Sequence, residues 1–139
     1  MDADRLKRIP LFEDLSRRQL ERLAMWIDEV DVPAGERLID QGAFPHEFMV
    51  IESGSAEVSH HGKHLAMLGP GDFFGEMALL EHHRRSATVT ATSGLRVVVM
   101  HERDFRAMET EMPEVARRIR AVMEERRLEH RAKTGEDPD

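Results

Sequence analysis

The chain has 139 residues, 40% hydrophobic and 34% charged, with no cysteine and a formal net charge of −7. That length suits one domain with its own core and is too short for two ordinary ones. The missing thiols exclude a disulfide framework and a thiolate zinc site, and the acidic balance argues against a nucleic-acid partner, whose phosphates need a basic face. No apolar run approaches the roughly 18 residues that cross a bilayer, and nothing resembles a secretory leader. No membrane insertion and a cytoplasmic location are therefore expected.

Residues 1–28 are expected to be helical. Ser16-Arg17-Arg18-Gln19 fits a capping box, and Leu20, Leu23, Ala24 and Ile27 follow at helical spacing. Residues 29–100 change character. Short β-prone runs such as FMVIES, AEVSHH and LRVVVM alternate with glycines at intervals of about seven to twelve residues, the pattern of an antiparallel sandwich or barrel. Within it, Glu57-Val58-Ser59 and Ala87-Thr88-Val89-Thr90 show the period of two that marks half-buried strands. Residues 101–131 return to helix: Pro113 suits a first turn, and Val115, Ile119, Val122 and Met123 share an apolar face. A polar tail over 132–139 is expected to be disordered. The expected fold is mainly β with flanking helices, an antiparallel β-roll or jelly-roll barrel between N-terminal and C-terminal helices, forming one domain.

The stretch FGEMALLEHHRRSATVTA carries the chemistry. Gly75 lets the backbone approach a ligand closely, and Met77-Ala78-Leu79-Leu80 has the propensity for one short helical turn. Free amides at the start of such a turn attract an anion. Arg85 adds a planar fork that pairs with phosphate or carboxylate. Ser86 adds a hydroxyl, and Ala87 is small enough to expose its amide. Glu76 would repel the anion unless it accepts a hydrogen bond from a neighbouring hydroxyl. A phosphate beside a sugar hydroxyl describes a nucleotide.

The segment LGPGDFFGEMALLEHHRRSATVTA, about residues 69–91, resembles the phosphate-binding cassette of the cyclic nucleotide-binding domain family, which includes protein kinase A regulatory subunits, cyclic-nucleotide-gated channels and catabolite activators. IPLFEDLS resembles the family's N-terminal helices, and VPAGERLIDQGAFPHEFMVIESGSAEV its first half-barrel. The likeness covers about residues 6–130. It implies that Glu76 accepts the ribose 2′-hydroxyl, that Arg85 pairs with the cyclic phosphate with help from Ser86, and that Gly75, Met77, Ala78 and Ala87 contribute mainly backbone contacts. It also implies an arginine of the last helix over the purine, with Arg126 the candidate and Arg127 the second choice. Many members place proline before the cassette arginine; here that position is Arg84. The implied ligand is cyclic AMP, with cyclic GMP the alternative, because the cassette reads the phosphate and ribose that both share.

Against these roles, Glu76 and Arg85 could instead pair with each other, Ser86 could simply open a strand, and Arg126 could be a solvated charge. Two histidine clusters, SHHGKH and EHHRR, raise a cupin-type metal enzyme as a further alternative. Neighbours such as His60 and His61 point to opposite faces of a strand, so they are expected at an exposed hairpin tip, with His64 across the turn. His82 and His83 have no assigned role. No nucleophile constellation appears, so neither a catalytic residue nor a metal ligand is expected. The expected function is a stand-alone sensor that signals through its C-terminal helices to a protein partner or within a homodimer. A fragment of a larger regulator, channel or enzyme is the alternative. With no second helix pair read after the sensor to enter a DNA groove, direct DNA binding is not expected.

Overall fold

A computed structural model describes residues 2–40, 47–75 and 87–134, with side chains in the last helix described as far as Glu125 and at Leu128. Helix α1 (Ala3–Lys7) starts at Asp2, whose Oδ1 accepts the Arg5 amide at 2.8 Å. A 3-10 turn, Pro10–Phe12, leads to α2 (Arg17–Leu23). The expected capping box forms there. The Gln19 amide donates to Ser16 Oγ at 3.1 Å, and the Ser16 amide donates to Gln19 Oε1 at 2.9 Å. A second 3-10 turn, Ala24–Trp26, closes the N-terminal helical part, so the β region begins at Asp28.

Eight strands follow: β1 (Asp28–Val32), β2 (Arg37–Ile39), β3 (Glu47–Ser53), β4 (Ala56–His60), β5 (Lys63–Leu68), β6 (Phe73–Phe74), β7 (Thr88–Ala91) and β8 (Leu95–His101). They form two four-stranded antiparallel sheets, β1-β8-β3-β6 (sheet I) and β2-β7-β4-β5 (sheet II). Helices α3 (Glu102–Glu111) and α4 (Pro113–Thr134) end the described chain. The family expectation of antiparallel sheets with helices at both ends is met.

The strand period of two sorts side chains into two cores. On β3 and β8, Phe48, Val50, Val98 and Met100 pack with Phe73 against the helices, among Leu6, Phe12, Leu20, Phe105, Met108, Ile119 and Met123. The intervening Met49, Ile51, Val97 and Val99 face sheet II, where Ala56, Val58, Val89 and Ala91 meet them. Sheet I is therefore the middle layer of three. Sheet II keeps one face for solvent, and its β4 and β7 show the alternation read from sequence, buried at Val58 and Val89 and half-buried at Glu57, Ser59, Thr88 and Thr90.

The C-terminal helices need one correction. Helix α4 starts at Pro113, as expected of proline in a first turn, after Met112, with φ −135° and ψ 61°, leaves the helical conformation and ends α3. It runs to Thr134, so residues 132–134, expected in the disordered tail, are helical. The run EERRLEHRAK consists mostly of good helix formers, and the first glycine is Gly135. Residues 135–139 lie outside the described residues.

An ionic network ties α1 to the outer face of sheet I. The Arg5 guanidinium donates to Glu52 on β3, its Nε at 3.2 Å from Oε2, and to Glu29 on β1. Arg96 on β8 donates to Glu29 at 2.8 Å and to Asp31 at 3.0 Å. Chiefly through the Arg5 hydrogen bond, the Glu29 carboxyl is held below its ordinary value of 4.5; Arg96 does the same for Asp31, whose ordinary value is 3.8.

Two expectations follow from these contacts. Carboxyls that titrate lower in the folded state stabilise it fully above their unfolded values, and lose that contribution as pH falls through the lowered ones. Thermal unfolding midpoints should therefore drop as pH falls below about 4.5, and Glu29→Gln with Asp31→Asn should flatten that slope. Gly54, at the β3–β4 turn, has φ +94°, and a Cβ there would lie 2.3 Å from the Gly94 carbonyl oxygen and 2.8 Å from Leu95 Cδ2. Gly54→Ala should cost at least about 1–3 kcal/mol, read as a lower urea midpoint.

Candidate functional site

The turn between β5 and β6 is fastened on both sides. The Gly69 amide donates to Asp72 Oδ2 at 2.8 Å, and the Asp72 amide to the Gly69 carbonyl at 3.0 Å. The Gly71 amide reaches the Ile51 carbonyl at 2.8 Å, and the Ile51 amide reaches the Asp72 carbonyl at 2.9 Å. This clamps Phe73 opposite Val50 and Phe74 opposite Met49 on β3. Phe73 then belongs to the helix-side core and Phe74 to the sandwich interior. Gly75 follows, buried, with φ +85°, a left-handed conformation that glycine adopts without the cost of a Cβ.

The described chain resumes at Ala87, 3% exposed and packed in the interior core, and continues into β7 between β2 and β4. Segment 76–86 is thus held at one end on the edge strand of sheet I and at the other inside sheet II. Gly75 and Ala87 are the two expected site residues among the described ones; both are buried, and Ala87 packs in the interior core. Glu76, Met77, Ala78, Arg85 and Ser86 lie outside the described residues, as do His82, His83 and the short cassette helix. Arg126 and Arg127 have helical backbone in α4, but their side chains lie outside the described residues. By helical spacing, position 126 falls on the stripe of Ile119 and Met123.

The wall beside these anchors comes from the β4–β5 hairpin. Its register pairs Ala56 with Leu68, Glu57 with Met67 and Val58 with Ala66, then shifts so that Ser59 pairs with His64. The bulge leaves Leu65 as the extra residue. Ala56 and Val58 point inward, so Ala66 and Leu68 share their face, whereas Leu65 and Met67 are 59% and 52% exposed. Ala66 is exposed even though it faces inward beside Val58. Ala66 thus puts a small side chain on the inner face of an edge strand of sheet II, while β6, at the edge of sheet I, leads into segment 76–86. Composition drew no attention to Ala66, Val58 or Leu68; the period of two across the His61-Gly62 turn was the available signal.

The histidines fall where the turn reading put them. His60 ends β4, His61 takes a positive φ in the turn, and His64 returns on β5 with Nδ1 2.8 Å from Glu57 Oε2. Among the described residues, no three His, Asp or Glu side chains are arranged to hold a metal ion. Among them too, no helix is long and apolar enough to cross a membrane.

The family model for the cyclic nucleotide-binding domain matches residues 29–111. The chain belongs to the cyclic nucleotide-binding domain family. It is 37% identical over 115 residues to a cAMP-dependent protein kinase regulatory subunit of Eremothecium gossypii, covering 82% of this chain and 25% of that protein. A cyclic nucleotide-gated potassium channel of Rhizobium etli is 34% identical over 119 residues, covering 86% of this chain and 33% of the channel. Among solved structures, the catabolite activator protein of Thermus thermophilus superimposes with a TM-score of 0.77 at 28% identity, over 89% of this chain and 61% of that one. The chain thus spans about a quarter to a third of the curated relatives named here. The match begins at β1 and ends with α3, so the family's segment contains both anchors of 76–86.

Proposed function

We propose that this cyclic nucleotide-binding domain is a sensor that takes cyclic AMP into the open side of its sandwich and carries no catalytic activity. The observation that supports it most is the cassette itself. Glu76 and Arg85 stand nine residues apart, between two buried residues, Gly75 and Ala87. In this reading Arg85 binds the cyclic phosphate bidentately, Ser86 and the amides of Gly75, Met77, Ala78 and Ala87 surround it, and Glu76 accepts the ribose 2′-hydroxyl. Arg126 covers the purine by stacking its guanidinium plane on the ring. Cyclic GMP presents the same phosphate and ribose and is the alternative ligand.

Signalling would be a population shift. Ligand binding favours one placement of α3 and α4, and those helices report to a protein partner or a second copy. The helix-side core supports this path, because Phe73, the residue two before Gly75, packs in the same cluster as Phe105, Met108 and Ile119. A second reading, that the chain is the sensor module of a larger regulator or channel, is favoured by the length of its relatives. It leaves the ligand site unchanged. One domain, with residues 29–100 as its β-roll and the helices as its output, fits either case.

Calorimetric titration with cyclic AMP and cyclic GMP, with molecular size measured before and after, tests the reading. Arg85→Ala should weaken binding by about 2–5 kcal/mol, roughly 30-fold to several thousandfold, with the unfolding midpoint retained. Glu76→Ala should lose about 1.5–3 kcal/mol. Affinity left unchanged in Arg85→Ala would overturn the site. Ala66→Phe should fill the space beside Val58 and block binding, while its exposed position keeps the stability change within about 0.5 kcal/mol.

A further inference from the structure

Each sheet has two edges, and natural sheets blunt their edges with charge, shortness or a covering segment. On sheet I, β1 carries Asp28, Glu29 and Asp31, and β6 is two residues long. On sheet II, β2 has three residues and begins with Arg37. The remaining edge, β5, is different. It has six residues, and among the described residues it pairs with β4 alone. Its second half, Leu65-Ala66-Met67-Leu68, is apolar throughout, and Leu65, Ala66 and Met67 are all exposed. A run of exposed apolar residues on an edge strand marks a surface that something covers.

We propose that β5 is an interaction surface for a second copy of this chain. The two strands pair antiparallel about a twofold axis and join two four-stranded sheets into one. The pleat restricts the register. Opposed residues of an antiparallel pair point to the same face, so the axis must pass through a residue opposed to itself. Pairing Ala66 with Ala66 of the second copy sets Leu65 against its Met67, and Met67 against its Leu65. Both side chains point outward, so the exposed apolar groups cover one another in a single cluster. An axis at Met67 would oppose Leu65 to Gly69 and leave that leucine uncovered. The charges agree with the Ala66 register. It brings Lys63 opposite Gly69 of the second copy, and the Asp72 carboxylate lies there, its Oδ2 accepting the Gly69 amide at 2.8 Å. Lys63 is exposed and has no side-chain partner among the described residues. The twofold axis repeats this pairing at both ends of the contact, with the apolar cluster between. Pairing six residues of edge buries less than the roughly 1,200 Å² of lasting interfaces, so the dissociation constant is about 0.1 mM. Neither Glu76 nor Arg85 takes part, and the contact is testable without nucleotide.

Sedimentation of the full chain should show its mass doubling between about 10 µM and about 1 mM. Met67→Lys, which sets an ammonium against Leu65, should weaken that step about tenfold or more and keep the unfolding midpoint, since residue 67 is exposed. Should that variant fail to fold, Leu65→Lys takes its place with the same loss expected. Lys63→Glu sets like charges together and should weaken the step severalfold, a difference that about 0.5 M salt should shrink. The chain has no cysteine, so Ala66→Cys reports the register directly. Facing residues of an antiparallel pair lie within disulfide reach, so mild oxidation should link the Ala66→Cys protein about tenfold faster than Met25→Cys. Met25 is exposed too, but lies outside the sheets. A constant mass, which would leave the edge to a different protein, overturns the proposal. So does a doubling that survives Met67→Lys, which would place the contact elsewhere, or equal oxidation of the two cysteine variants.

Discussion

Strands β3 and β8 are buried on both faces, and most of the architecture depends on that double burial. A strand with one wet face needs a single apolar partner layer. These two need a sheet on one side and helices on the other, because Phe48, Val50, Val98 and Met100 point one way and Met49, Ile51, Val97 and Val99 the other. The N-terminal and C-terminal helices are far apart in sequence, yet they share one cluster because both cover the same face of sheet I. Removing either layer would expose a row of large apolar side chains at roughly 25 cal/mol per Å². The three-layer arrangement therefore follows from the alternation within two seven-residue strands.

The same alternation explains what the sequence disclosed. Glycines and β-prone runs located the strands, Ser16 and Gln19 marked a helix start, and Pro113 marked another. The cassette motif stood out because a carboxylate and an arginine inside apolar surroundings demand partners. What escaped was set by geometry that no local pattern encodes. Counting back from the His61-Gly62 turn in strict register would face Leu65 inward across from Val58. The bulge between Ser59 and His64 puts Ala66 there instead and turns Leu65 and Met67 outward. One extra residue thus decides which side chains of β5 face inward. The Arg5, Glu29, Glu52, Arg96 and Asp31 network was equally hidden, since it joins positions up to 91 apart that meet only once sheet I has formed. The end of α4 escaped for a different reason: polar composition suggested a tail, while helix propensity carried the backbone on to Thr134.

The electrostatics divide along the same lines. The described carboxylates held low by arginine lie on the outer face of sheet I, where they fasten α1, and not beside the cassette anchors. There the network is structural. Asp28 lies in phase with the inward-facing Val32, one residue out of phase with Glu29 and Asp31. A period of two is enough to give neighbouring acidic residues of β1 opposite surroundings.

One close approach links the two ends of this scheme. A Cβ at residue 71 would come within 3.3 Å of Pro10 Cδ and 3.4 Å of its Cγ, so the proline ring of the first 3-10 turn lies directly over the loop that leads to β6. Neither partner can yield by rotating a side chain: one has none, and the other is a closed ring. The clearance between them suits a residue without a side chain and would be tight for any other. A side chain added at residue 71 would press on the first 3-10 turn, so the seating of that turn over the loop depends on glycine having none.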